Sequence, residues 1–328
     1  LLGALLYGLA TLPIQQSHFF TVDTFTNFFI TAAIYVVICI FQADSVFQER
    51  GKDMLRSKDF WNHVLFGVIV GLAAASKISA AVSAVLLSLA IVLRDYNDLK
   101  SSPANRSQAF WKIMVAALSF FIIFRVFQPY AFQGPGFFGI LPNPKWLDNL
   151  RELSLLSSGD TYYPPSLQWA RRPLGFAWQN LLMWGFGLAS GIPALLGVLG
   201  MGWKILKGDW KPYFIIWMWI ILYGGWQSLV WNPTMRYLLF IYPMLAISAA
   251  WVVENVVRFL LTNRKVFKIM MARLLLAAVL IGSTAWAFSF SEIYTRPVTR
   301  VAATEWIYKN VEGPINLLVS GVDEDFSQ

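Results

Sequence analysis

The chain has 328 residues, 57% of them hydrophobic and only 13% charged, with 15 Trp, 26 Phe and a formal net charge of +8. The charged share is about half that of an average soluble domain, and the apolar residues gather in runs of roughly 17–25, each enough to cross a hydrocarbon layer of about 30 Å. The composition therefore excludes a soluble globule and predicts an all-α, polytopic transmembrane bundle. The basic balance does not point to nucleic acid, because Lys and Arg fall in short clusters between apolar runs and form no continuous stripe. A single Cys39, inside an apolar run, excludes a disulfide framework and a cysteine metal site.

The chain opens on LLGALLYGLA, without Met or a basic flank, and closes on VDEDFSQ just inside a polar region. It reads as a fragment that begins within a helix and lacks the N-terminal part of its protein. Apolar runs lie at about 1–14, 24–41, 62–93, 111–127, 179–206, 212–230, 237–256 and 271–290. Between the first two stands a polar island, QQSHFFTVDTF, carrying His18 and Asp23. A carboxylate at the end of a membrane helix is costly unless it has a partner or a task.

The 62–93 run is too long for one ordinary span: as a single helix it would reach about 48 Å at 1.5 Å per residue, and Lys77 sits near its middle. Splitting it at GLAAASKISA places sixteen Lys and Arg on one side of the membrane and nine on the other, with Arg125 within a span. Leaving it whole, with Lys77 and Arg125 set aside, gives twelve on each side. Cytoplasmic loops carry the excess of Lys and Arg, so the split is the predicted arrangement, with about nine spans. It sends the 15–23 island, the Lys77 turn, the long loop 128–173 and the WNPTMR turn at 231–236 to the extracytoplasmic side. The core is then 1–290, and 291–328 begins an extracytoplasmic C-terminal domain.

Within the long loop, KWLDNLRELSLL spaces its apolar residues as a helix does, which suits either a helix lying in the membrane interface or a small cap on the bundle. SSGDTYYPPSLQWARRP then brings Asp160, Tyr162, Tyr163, Trp169, Arg171 and Arg172 to the mouth of the next span. Aromatic residues at such a boundary are usually belt residues.

These outward features suit a donor whose lipid tail lies in the bilayer, whose phosphate lies at the interface and whose sugar lies in water. Sugar transfer needs a carboxylate to take a proton from the acceptor hydroxyl, and cations or a metal to stabilise the departing phosphate. Asp23 and Asp160 are the candidate catalytic carboxylates, Lys77, Arg236, Arg171 and Arg172 the candidate phosphate partners, and His18, Tyr162 and Tyr163 the candidate substrate contacts. Each also has a plainer reading. Asp23 suits an N-cap or first-turn acid, His18 an interfacial hydrogen-bonding residue, Lys77 a snorkelling cation, Arg236 a helix-end anchor, and the Arg171–Arg172 pair a contact for lipid headgroups.

Four segments carry a resemblance: SHFFTVDTFTNFF at 17–29, GLAAASKIS at 71–79, PTMRYLLFIYP at 233–243 and TRVAATEWIYKN at 299–310. In order and placement they resemble the GT-C superfamily of polyprenyl-phosphate-sugar-dependent glycosyltransferases, in the bacterial branch related to protein O-mannosyltransferases and aminoarabinose transferases. The resemblance implies a GT-C-like bundle in the cell membrane and a polyprenyl-phosphate-sugar donor. It further implies a lipid, glycan or protein acceptor, inversion at the anomeric carbon and, in some members, a divalent metal ion near the phosphate. By position, Asp23 would be the second-loop acid that holds metal or donor phosphate, with Lys77 and Arg236 as phosphate partners. The family's principal carboxylate lies in an earlier outward loop, before the first span of this chain, and His18 stands where many relatives carry Arg. The alternatives are a polytopic transporter or lipid flippase using Asp23, Lys77 and Arg236 along its path, and a noncatalytic subunit of a membrane complex.

Overall fold

The computed structural model describes residues 1–43, 56–134, 138–159, 168–169, 172–262 and 265–313. Among these residues the regular structure is helical apart from one two-residue strand pair, Phe132–Gln133 with Leu141–Pro142. Seven helical segments among the described residues are long and apolar enough to cross a membrane, and the shorter Phe214–Leu229 is also strongly apolar. The chain divides into two compact units, Leu1–Ala287 and Phe288–Gln328. In the second, the helix Thr299–Asn310 has no buried residue.

Three of the predicted apolar runs are broken. The first is two short helices, Leu2–Gly8 and Thr11–His18, separated by extended Ala10. Pro13 is the reason, since a continuous helix would drive its ring into the carbonyl of Leu9 and leave that carbonyl without a donor. The 62–93 run breaks where the charge distribution placed the split. Helix Lys58–Ser76 stops at Lys77, whose backbone is extended, and the chain re-enters through a 3-10 segment, Ile78–Ala84, before helix Val85–Ser101. The third, 179–206, contains a π-turn at Leu181–Gly185 and then Gly187, whose φ of +73° favours glycine, before helix Leu188–Leu206.

Local signals fix several other ends. Ser57 caps Lys58–Ser76 through Phe60 N at 3.1 Å, and Ser102 with Pro103 opens Pro103–Phe127. The predicted loop helix is Pro144–Ser158, capped by Asn143 and ended by left-handed Gly159, with no buried residue. Arg125 Nε donates to Gly139 O at 2.5 Å, and its guanidinium covers the Phe132 ring, tying the strand pair to the end of Pro103–Phe127.

Helices Lys58–Ser76 and Pro103–Phe127 pack through Gly67 and Gly71, four residues apart. A Cβ at Gly67 would overlap the Ala116 carbonyl, and one at Gly71 would lie 2.9 Å from Phe120 O. Small residues at this spacing let two membrane helices approach backbone to backbone. The main core runs through Ile30, Ile34 and Ile40 of helix Val22–Gln42, Leu238–Tyr242 and the facing helices. Near its centre Tyr242 stacks on Phe186 at 4.7 Å.

Candidate active site

Three interruptions of regular helix meet at one end of the bundle. Extended Thr21 precedes helix Val22–Gln42, so Asp23 falls in its first turn; the cap position is Thr21, and it makes no side-chain cap bond. The approach is fixed by Gln16, whose carbonyl accepts from Thr24 Oγ1 at 3.2 Å and whose side-chain oxygen accepts from Thr21 Oγ1 at 3.4 Å. Lys77 is the extended residue between its two helical halves. Arg236 lies on the 3-10 segment Met235–Ile241, which leads into Tyr242–Thr262.

The side chains converge. Asp23 is fully buried; its Oδ1 accepts from Lys77 Nζ at 2.7 Å and its Oδ2 from Arg236 Nε at 2.6 Å. Lys77 also sits 4.9 Å from the centre of the Tyr237 ring and 5.5 Å from that of Phe240, within cation–π range. The cations are not equally enclosed: the Lys77 side chain is 21% exposed and that of Arg236 46%. Among the described residues a buried carboxylate thus holds two cations, leaving one surplus positive charge toward half-exposed Arg236.

A cavity of about 270 Å³ lies beside Arg236, lined in part by Gln15, Gln16, Asn180 and Thr234, with Trp169 and Phe176 as aromatic wall. Arg172, exposed at the surface, lays its guanidinium 4.9 Å from the centre of the Phe176 ring and donates from Nε to Gln168 O at 3.1 Å. His18 ends the helix Thr11–His18, with Nδ1 at 2.8 Å from Ile14 O. Asp160, Tyr162, Tyr163 and Arg171 lie outside the described residues.

The donor set at Asp23 does not fit a divalent metal. Both carboxylate oxygens are engaged by cations, and no group of three or more His, Cys, Asp or Glu among the described residues is placed to hold an ion. Mg²⁺ and Ca²⁺ need several oxygen ligands around one point, so no step below passes through a metal.

Sequence reasoning missed Gln15, Asn180 and Tyr237, and it missed a second ionic cluster at the opposite end of the same helices. There Arg94 binds Asp95 through two bonds of 2.8 Å and reaches Asp59 Oδ1 at 3.0 Å and Ile40 O at 2.9 Å. Lys112 Nζ lies 2.6 Å from Asp59 Oδ2, and His63 Nδ1 lies 2.7 Å from Asp59 O. The Asp59–His63 spacing of four residues, followed by basic residues within the next two apolar helices, was the available signal.

No family model and no curated protein matches the sequence. The fold is similar to the crystal structure of the Archaeoglobus fulgidus oligosaccharyltransferase in its apo form, with a TM-score of 0.54 and 17% identity over 89% of this chain and 41% of that one. The chain therefore shares a helical fold with that structure, carries seven helices among the described residues long and apolar enough to cross a membrane, and spans less than half the length of the structure it resembles.

Proposed function

We propose that the chain is the core of a membrane glycosyltransferase that moves a sugar from a polyprenyl-phosphate donor to an acceptor hydroxyl, with inversion, on the extracytoplasmic side. The observation that carries the proposal is the Lys77–Asp23–Arg236 constellation, with its surplus positive charge at a half-exposed guanidinium. One surplus charge matches a phosphodiester, which bears one negative charge, and the remaining Arg236 N–H groups suit its oxygens.

In this reading the acceptor oxygen attacks the anomeric carbon from the face opposite the phosphate. The bond from that carbon to the phosphate oxygen breaks, and the electron pair leaves on the polyprenyl phosphate, whose charge grows from one to two. Lys77 and Arg236 face the group on which charge develops, where fixed cations lower a barrier most. Asp23, enclosed and doubly engaged, fixes where both cations point, and we assign it as a positioning residue. The acceptor proton passes to a carboxylate, a role we give to Asp160 within this chain. Arg171 and Arg172 would draw the anionic lipid to the interface, and His18, Tyr162 and Tyr163 would contact substrate around the mouth. The resemblance of 17–29 and 233–243 to protein O-mannosyltransferases and aminoarabinose transferases supports the same donor class.

The test is transfer of radiolabelled sugar from polyprenyl phosphate by the full-length protein in membranes, at matched expression. Wild type is expected to transfer, and Arg236→Ala and Lys77→Ala are expected to lose at least about tenfold in rate, the scale of one charge-assisted hydrogen bond. Transfer unaffected by either substitution would remove the constellation from the active site. Movement of the intact lipid across the bilayer without sugar transfer would favour the flippase reading instead.

A further inference from the structure

The cavity beside Arg236 has a lining that the phosphate does not explain. The polar groups that face it are amides and a hydroxyl, from Gln15, Gln16, Asn180 and Thr234, and Arg236 carries the only charge among the described lining residues. Gln16 spends its side-chain oxygen on Thr21, but among the described residues part of the remaining hydrogen-bonding capacity is open. Asn180 Nδ2 donates to Phe176 O at 2.7 Å, which leaves its Oδ1, and the Thr234 hydroxyl makes no bond to the 3-10 segment it precedes. Trp169 and Phe176 meet edge to face with ring centres 6.0 Å apart and close the other side. Among the described residues, Asp23, the carboxylate paired with Arg236, is fully buried with both oxygens engaged.

We infer that this cavity is the subsite for a single uncharged sugar ring of the donor, joined through its anomeric oxygen to the phosphate at Arg236. The inference rests on the donor reading above and narrows it to one substrate class. The sugar is one bond from the phosphate oxygen, so its subsite must share a wall with the cation that holds the phosphate, and Arg236 is that wall. Amides donate and accept at once, which matches ring hydroxyls or an acetamido group, while the aromatic wall takes the apolar C–H face of the ring. A protonated amino sugar would meet Arg236 with no free carboxylate among the described lining residues, an arrangement that selects against it. The volume, near the lower end of the roughly 300–1,000 Å³ usual for ligand pockets, suits one ring better than an oligosaccharide.

The test is equilibrium binding to the full-length protein in lipid nanodiscs, using three lipids that share one phosphodiester charge: polyprenyl methyl phosphate, a polyprenyl phosphohexose and a polyprenyl phospho-aminopentose. The phosphohexose is expected to bind about tenfold or more tightly than the methyl diester, the worth of one or two well-made neutral hydrogen bonds, and more tightly than the aminopentose. Asn180→Leu, and independently the isosteric Thr234→Val, are expected to shrink that gain while leaving the methyl diester within about twofold, the scale of a residue that does not touch it. Equal binding of hexose and methyl diesters by wild type would overturn the subsite and leave the donor reading standing. Preference for the aminopentose, or loss of affinity for all three lipids alike in both variants, would also overturn it. Failure of wild type to bind any of the three would sink the donor reading, and the subsite with it.

Discussion

Asp23 joins a lysine from a helix break to an arginine on a segment more than 200 residues away in sequence. Removing its charge leaves two cations face to face with no counter-ion. Breaking a buried pair by deleting one partner costs about 3–5 kcal/mol, and the partial exposure of Arg236 and Lys77 moves the expectation to about 3 kcal/mol, the lower end of that range. Asp23→Asn is therefore expected to lower the unfolding midpoint in detergent as well as the transfer rate. The double variant Asp23→Asn with Arg236→Gln removes the repulsion and should recover most of the stability while transfer stays lost. Recovery of both together would mean that Arg236 only balances charge. A second expectation concerns the guanidinium itself. Arg236→Lys keeps the charge but loses the fork of N–H groups, and transfer should fall about 10–100-fold, since a planar donor pair is not replaced by a point charge. A fall of less than about twofold, within ordinary surface-substitution effects, would show that charge alone suffices.

Among the elements, the two ends of helices Val22–Gln42 and Lys58–Ser76 carry different kinds of ionic cluster. The Asp23 end carries a surplus charge and is partly open. The other end, about 25 Å away along Val22–Gln42 at 1.5 Å per residue, balances Arg94 and Lys112 against Asp59 and Asp95, all with little exposure. That balance has the form of a clamp: Arg94 touches Ile40 O of one helix and Asp59 of a second, while Lys112 reaches Asp59 from a third. Arg94→Met takes the guanidinium from both Asp95 and Asp59, leaving Lys112 on Asp59, and should destabilise the protein by about 3–5 kcal/mol. Transfer per folded molecule should stay near wild type, and a selective loss of transfer at normal stability would instead connect the two ends functionally. The contrast also explains what the sequence disclosed. Asp23, Lys77 and Arg236 were legible because a charge beside a long apolar run is costly and calls for a reason. Arg94 and Lys112 were not, because basic residues near span ends already have an explanation in topology. Gln15 and Asn180 were hidden more deeply, since an uncharged amide near a membrane boundary costs little and only the folded backbone brings the two together. The break at Lys77 was visible in the charge distribution, whereas the break at Ala10 required weighing Pro13 inside a short apolar run.

For the whole molecule the decisive question is which face of the membrane holds the Asp23 constellation. The predicted topology places sixteen Lys and Arg on one side and nine on the other, and the side with nine is the one that carries Asp23, Lys77 and Arg236. The side with sixteen carries Arg94 and Lys112, so the clamp should face the cytoplasm and the open constellation the exterior. Cys39 is the one cysteine of this chain, so single-cysteine labelling makes this directly measurable once any cysteine elsewhere in the full-length protein is also replaced. In a Cys39→Ser background, a membrane-impermeant maleimide applied to intact cells should label Ser17→Cys, exposed near the end of helix Thr11–His18, and should fail to label Lys207→Cys until the membrane is opened. Ser17 and Lys207 are both exposed, so a difference between them reports sidedness and not burial. The reverse pattern would put the constellation on the cytoplasmic face. The surplus charge at Arg236 would still call for an anion there, but the acceptor and the sugar-bearing end of the donor would have to be cytoplasmic, and the extracytoplasmic reaction proposed for this chain would fall.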